Sequence, residues 1–217
     1  MKTLLTLIVG WLAILHAEGM STNLIWENPA PKDILKPFSR SSIIPESFCY
    51  MEPGGRIRLV KTGKSRTTSI VFVHGSPGDW KAWSSYLTNQ NLLSRATLIS
   101  LDRPGFGGSD PGIPERSVKI QSDRIYRAFR ELSLRDSRPA SAVWIGHSYG
   151  GPVIARLAMD HPEAVQGLLF IGAPFDPELE TIEWYQKVGA KPCVSRILPK
   201  IIYVVNEELF PLKGELQ

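Results

Sequence analysis

A serine bracketed by glycines is the first feature of this sequence that could do chemistry. Gly146, His147, Ser148, Tyr149 and Gly150 spell G-x-S-x-G, after the apolar run "AVWI" and before a segment with helical character. A sharp strand-to-helix turn holds a serine in strained backbone space, and flanking glycines leave room for neighbouring chain. The hydroxyl then stands at a helix start, where N–H groups and the helix dipole favour developing negative charge. The pattern predicts that Ser148 is a nucleophile.

A second loop would supply hydrogen-bond donors to the same site. The stretch "VFVHGSPGDW" follows a strand-like run and turns at His74 and Gly75. We expect the backbone N–H of Ser76 to point into the site and to form a two-donor oxyanion hole with the N–H of Tyr149. We interpret His74 as a structural residue of the turn rather than as the catalytic base. The alternative is an ordinary Gly-Pro surface turn.

Other chemistries find little support. The glycine-rich stretch "LDRPGFGGSD" fails as a dinucleotide loop, because G-x-G-x-x-G needs glycine where Asp110 stands. Cys49, Cys193 and the four histidines lack metal-ligand spacing, so we expect neither a metal site nor a cofactor. The two cysteines leave open a single disulfide or two separate thiols.

Short β-branched runs alternate with longer periodic segments, and this order predicts the fold class. The runs are "SIVFV", "ATLISL", "AVWI" and "GLLFIG". Strands alternating with helices indicate an α/β fold with a mostly parallel sheet covered by helices on both faces. In such sheets ligands bind beyond the carboxyl ends of the strands, which is where the motifs fall.

One periodic segment predicts an amphipathic helix. Its apolar face consists of Val118, Ile125, Phe129 and Leu132, and its solvated side of Arg124, Arg127, Arg130 and Arg135. The formal charge of +4 is spread over mixed basic and acidic residues, with no basic stripe interleaved with aromatics, so we do not expect nucleic-acid binding.

The chain divides into four stretches. Residues 1–19 resemble a signal peptide, with an apolar stretch too short for a typical membrane span and small residues before a cleavage point after Gly19. Export to the periplasm or outside the cell is therefore the expectation; the alternatives are a cytoplasmic protein starting at Met20 and an uncleaved membrane anchor. Residues 20–47, rich in proline, predict an extended lead-in without regular structure. Residues 48–175 form the core, and 176–217 a partial lid.

The ordered motifs "HGSPG", "DRPGFGGSD", "GHSYGG" and "HPEAV" resemble the α/β-hydrolase superfamily over roughly residues 57 to 175. The resemblance implies an eight-stranded sheet, a helical lid after the sixth strand, and a triad of Ser, Asp or Glu, and His in that chain order. Ser148 argues against the branches whose nucleophile is aspartate, namely epoxide hydrolases and haloalkane dehalogenases. An acid at Asp176 is one possibility; a helix-capping role for it is the other.

The resemblance leaves the base unassigned. His161 is the only histidine after Ser148, and it follows the helix after the turn, which puts it at the far end of the sheet. A general base must reach hydrogen-bonding distance of its proton. Against the family pattern, the last two strands, the usual acid and the histidine are not found, which indicates a member truncated at its C-terminus.

Two functions follow from these observations. The first is a serine hydrolase that acts on an ester or amide of a small apolar acid through an acyl-enzyme, without a cofactor. The second is a catalytically inactive remnant of a hydrolase, or a binding module, because a serine without its base is a weak nucleophile. The sequence indicates no oligomeric state.

Overall fold

The computed structural model describes residues 23–65, 67–113 and 115–175 of the 217-residue chain. The predicted leader, Asp176, Cys193 and the predicted lid lie outside these residues, so export, the acid and the lid stay predictions. Among the described residues, no helix is long and apolar enough to cross a membrane.

Within the described part of the chain, seven strands form one mixed sheet. They are β1 (Leu24–Glu27), β2 (Glu46–Glu52), β3 (Gly55–Thr62), β4 (Ser69–Val73), β5 (Thr97–Leu101), β6 (Ala142–His147) and β7 (Val165–Ile171), in the order β1-β2-β3-β5-β4-β6-β7. The last four strands of that order run parallel, and the first three are antiparallel to their neighbours. Every residue of β5 is buried, as expected for a central strand covered on both faces.

Helices cover both faces of the sheet, which confirms the predicted fold class. They are α1 (Lys32–Leu35), α2 (Ser84–Leu87), α3 (Gln90–Leu93), α4 (Val118–Arg135) and α5 (Gly150–Asp160), with 3-10 turns at Lys36–Phe38, Trp80–Trp83 and Pro162–Ala164. On one face α4 and α5 pack through residues such as Phe129 and Leu157. On the other face Trp80 and Trp83 belong to a buried cluster with Phe72, so these tryptophans are core residues.

The segment before Phe48 is more ordered than we expected. The prediction of no regular structure over residues 20–47 is wrong, because β1 pairs antiparallel with β2 and α1 buries Ile34. The four-residue edge strand β1 ends before Pro29, and α1 lies between Pro31 and Pro37, so the prolines interrupt neither element. The antiparallel part of the sheet therefore begins in this segment.

Helix α4 confirms the predicted apolar face and corrects the predicted polar one. Its four apolar positions are buried, and the side chain of Ser117 caps its N-terminus by accepting from the N–H of Ile120. Arg124, expected on the solvated side, is buried, and its Nε lies 2.7 Å from Oε1 of Glu52. The carboxylate of Glu52, in β2, pairs with the guanidinium and offsets the cost of burying it. The periodicity of the helix does not show this, because Glu52 belongs to another element.

Candidate active site

Ser148 lies in the turn that joins β6 to α5. Its φ of 50° places a non-glycine residue in the left-handed region. Two backbone hydrogen bonds hold it there: its N–H donates to the carbonyl of Ile171 at 2.9 Å, and its carbonyl accepts from the N–H of Gly151 at 2.8 Å. The residue is partly exposed. This is the strained strand-to-helix turn that a nucleophile elbow requires.

The glycines around Ser148 permit close contact between segments. A Cβ on Gly146 would lie 2.6 Å from the carbonyl oxygen of Gly150, and one on Gly150 would lie 2.4 Å from that of Val73. A Cβ on Gly75 would lie 2.8 Å from Cβ of Ser148. Real Cβ atoms do not tolerate such distances, so the turn and the loop after β4 pack this closely only because these positions lack side chains.

His74 is fixed in one neutral tautomer inside the loop after β4. Its Nε2 accepts from the backbone N–H of Arg103 at 3.0 Å, so its Nδ1 carries the proton and donates to the carbonyl of Gly75 at 2.7 Å. Burial, with the nearby charge of Arg103, holds the pKa of His74 well below its ordinary value. Both ring nitrogens are engaged, which agrees with a structural rather than a basic role for this histidine.

Arg103 hydrogen-bonds to the carbonyls of the same loop. Its fully buried guanidinium donates to the carbonyl of His74 from Nε at 2.9 Å and to that of Gly75 from Nη2 at 3.1 Å. A third bond joins Nη1 to Oε1 of Gln121 at 2.8 Å. The guanidinium also contacts the rings of Phe106 and Tyr149, at 4.8 and 4.6 Å from their centroids.

These contacts determine the orientation of the peptide that carries the Ser76 N–H. The carbonyl of Gly75 and the N–H of Ser76 belong to one trans peptide unit, so they point in opposite directions. Two donors, from His74 and Arg103, hold that carbonyl. The Ser76 N–H is thereby directed away from Arg103. The hydrogen bonds to the Gly75 carbonyl also polarise the peptide unit, which makes this N–H a stronger donor.

Asp102 secures the far end of the loop. Its Oδ1 accepts from the N–H of Trp80 at 2.8 Å and its Oδ2 from that of Gly108 at 2.7 Å. Burial raises the pKa of Asp102 to about 6, and the two N–H bonds oppose that rise. Consecutive residues after β5 thus hold the two ends of the loop at residues 74–80. The sequence identified this stretch as one of the family motifs but assigned no role to Asp102 or Arg103; the available signal was a charged Asp-Arg pair directly after a buried strand.

The donor expected from the serine turn is the N–H of Tyr149, at the start of α5. An eleven-residue helix provides a dipole whose positive end faces this position. The structure therefore brings Ser148, Tyr149, Gly75 and the loop with Ser76 into one place, while their catalytic roles remain predictions.

His161 is far from this site. It follows the C-terminal end of α5, which over eleven residues rises about 16 Å from the turn. Its Nε2 lies 3.1 Å from Oδ1 of Asp123, and its ring stacks on Tyr126 at 3.9 Å. The exposed ring of His147 lies edge-on to Trp83, with 6.5 Å between centroids. Among the described residues, no cluster of three or more His, Cys, Asp or Glu side chains could hold a metal ion.

Comparisons with known proteins agree with this architecture. Bifunctional epoxide hydrolase 2 of Sus scrofa is 25% identical over 155 residues, covering 70% of this chain and 26% of that protein. The pimeloyl-[acyl-carrier protein] methyl ester esterase of Proteus mirabilis is 32% identical over 106 residues, covering 49% and 36%. The chain thus spans about a quarter to a third of the length of these relatives.

A solved structure and a family model extend the comparison. The Cfl2 protein of Burkholderia cenocepacia superposes with a TM-score of 0.58 at 22% identity, covering 70% of this chain and 53% of that one. At that identity the likeness shows the fold. The family model for the alpha/beta hydrolase fold matches residues 68–192, more than half of the chain. The chain belongs to the α/β-hydrolase fold family.

Proposed function

We propose that this chain carries the nucleophile and oxyanion hole of a serine hydrolase acting on an ester or amide of a small apolar acid. The observation that carries the proposal is the φ of 50° at Ser148, held between a buried strand and a helix start. Left-handed backbone costs a non-glycine residue about 1–2 kcal/mol, and such strain is retained mainly where function needs the side chain.

The proposed reaction is acyl transfer in two steps. The Oγ of Ser148 attacks the carbonyl carbon of the substrate, and its proton passes through a base to the leaving alcohol or amine as the bond to that group breaks. Water then hydrolyses the acyl-serine, releases the acid and restores the hydroxyl. The N–H groups of Ser76 and Tyr149 stabilise the oxyanion in both steps, at about 3 kcal/mol for each donor.

The type of nucleophile favours acyl transfer over epoxide opening. One relative is an epoxide hydrolase and another a methyl ester esterase. The resemblance implies aspartate at the elbow of epoxide hydrolases, whereas this chain has Ser148 there. We therefore infer an ester or amide substrate.

The second candidate is a binding module without turnover. It is favoured by His161, the one histidine that follows Ser148 in these 217 residues, because its ring is bound to Asp123 at the other end of α5. Without a base, Ser148 would lose orders of magnitude in reactivity even with an intact oxyanion hole.

A phosphonate probe distinguishes the two candidates. We expect the 217-residue chain to gain the probe mass at Ser148, with no labelling of Ser148→Ala and unchanged labelling of the control Ser85→Ala, which changes an exposed serine. His161→Ala should label at the wild-type rate. A folded chain, by circular dichroism, that gains no mass at Ser148 would refute the hydrolase and leave the binding module.

A further inference from the structure

A glutamine is buried on the apolar face of α4. Gln121 is 0% exposed, and it lies one helical turn after Val118 and one before Ile125, both of which are buried core residues. Helical periodicity favours an apolar side chain at such a position, because burying an amide costs free energy unless its polar atoms are hydrogen-bonded. The glutamine is therefore explained by its hydrogen bonds rather than by packing.

Both ends of this amide are bonded. Oε1 of Gln121 accepts from Nη1 of Arg103 at 2.8 Å, and Nε2 donates to the backbone carbonyl of Glu115 at 2.7 Å. A guanidinium only donates and a carbonyl only accepts, so the two partners fix which end of the amide faces which. A glutamate here would keep the acceptor and lose the donor, and a leucine would lose both.

The bond to Gln121 limits where the guanidinium of Arg103 can lie. Two further bonds of Arg103, from Nε and Nη2, end on the carbonyls of His74 and Gly75. Because a guanidinium is planar and rigid, a donor that is fixed on one edge determines the direction of the others. Gln121 is thus connected through one side chain to the peptide unit that carries the Ser76 N–H.

We propose that Gln121 is a positioning residue for the oxyanion hole and acts through Arg103. Its side chain is fully buried, so its influence passes through the guanidinium to the Gly75 carbonyl. The effect on reactivity rests on the proposed function, in which the Ser76 N–H binds the oxyanion. The same amide ties this peptide unit to the segment before α4, at Glu115.

NMR can observe this peptide unit directly. The dipeptide Gly-Ser occurs at residues 75–76 and 108–109 of the 217-residue chain. Cell-free synthesis with glycine labelled by ¹³C at its carbonyl and serine labelled by ¹⁵N therefore gives one HNCO cross-peak for each of these two pairs. The 75–76 cross-peak reports on the peptide in question, and the 108–109 cross-peak is the internal reference.

Three variants of Gln121 and one control separate its two bonds. Gln121→Leu removes both bonds at similar volume and should shift the 75–76 cross-peak. Gln121→Met, an unbranched alternative, is measured in parallel so that a misfolded leucine variant leaves the test intact. Gln121→Glu keeps the acceptor for Arg103, so its cross-peak should return most of the way to the wild-type position. Ser122→Ala, which alters a buried hydroxyl that donates within α4 to the carbonyl of Lys119 at 2.9 Å, should leave both cross-peaks in place.

The rate of phosphonate labelling at Ser148, per folded molecule, measures the consequence for the site. We expect Gln121→Leu to label about three- to tenfold more slowly, which is less than the roughly 10²–10³ for complete loss of an oxyanion donor, because Arg103 can still reach the two carbonyls. Gln121→Glu and the control Ser122→Ala should label within about twofold of the wild type.

Three outcomes overturn the proposal. An unmoved 75–76 cross-peak in the folded leucine or methionine variant means that Gln121 does not orient this peptide. Equal shifts in Gln121→Leu and Gln121→Glu mean that the bond to Glu115 matters rather than the bond to Arg103. A shifted cross-peak with wild-type labelling means that the orientation has no effect on reactivity. If the wild-type chain itself is not labelled, the hydrolase proposal fails, and the cross-peaks alone decide whether Gln121 positions the peptide.

Discussion

Replacing Arg103 with methionine tests whether this buried residue orients the oxyanion hole. Methionine keeps an unbranched chain that can contact the rings of Phe106 and Tyr149, but it removes the donors to the carbonyls of His74 and Gly75. The Gly75 carbonyl keeps the bond from Nδ1 of His74. The Ser76 peptide should therefore lose part of its orientation.

The magnitude follows from what is lost. One missing oxyanion donor costs about 3 kcal/mol, or roughly 10²–10³ in rate, and this is the upper limit. Because one of the two donors to Gly75 remains, we expect Arg103→Met to slow labelling by about ten- to a hundredfold. Losing the buried hydrogen bonds to His74 and Gln121 should also lower the free energy of unfolding by about 2–4 kcal/mol.

The assay is the second-order rate constant of phosphonate labelling at Ser148, corrected for the folded fraction by circular dichroism. Arg124→Met is the matched control, since Arg124 is likewise buried but binds Glu52 rather than the loop after β4. It should lose comparable stability and label at the wild-type rate per folded molecule. If folded Arg103→Met labels as fast as the wild type, Arg103 does not position the oxyanion hole.

Three further predictions concern stability, each measured by urea unfolding. The raised pKa of Asp102, about 6, means that the folded state binds a proton on this carboxyl more tightly than the unfolded state does. Protonation of Asp102 therefore stabilises the fold at about pH 4 and below, and this stabilisation is lost as the pH rises through 6. Relative to Asp102→Asn, the free energy of unfolding of the wild type should fall by about 2–2.5 kcal/mol between pH 4 and 7; parallel pH profiles would contradict this. Gly150→Ala should destabilise by about 1–3 kcal/mol, since its Cβ would meet the Val73 carbonyl at 2.4 Å, whereas Gly167→Ala, with only 3.9 Å contacts, should change stability by less than about 0.5 kcal/mol. Ser148→Gly should be about 1 kcal/mol more stable than Ser148→Ala, because glycine adopts a φ of 50° without strain; equal stabilities would count against strain at the turn.

Local patterns predicted the centre of the fold well. The apolar runs before and after Ser148 correspond to β6 and β7, and the glycines fall where segments approach within van der Waals limits. A strand, a tight turn and a helix are each encoded by neighbouring residues. The antiparallel β1 was missed because its four residues gain their order from pairing with β2, which lies some twenty residues further along the chain.

The sequence by itself determined that Ser148 stands in a strained turn between a strand and a helix, since glycine spacing and apolar runs are local properties. Only the tertiary structure decided what surrounds that turn: that Asp102 and Arg103 hold the loop of Ser76, that His161 is bound to Asp123, and that Arg124 is buried on Glu52. Hydrogen bonds and ion pairs between residues distant in the chain depend on strand order and helix packing, so local sequence patterns cannot predict them.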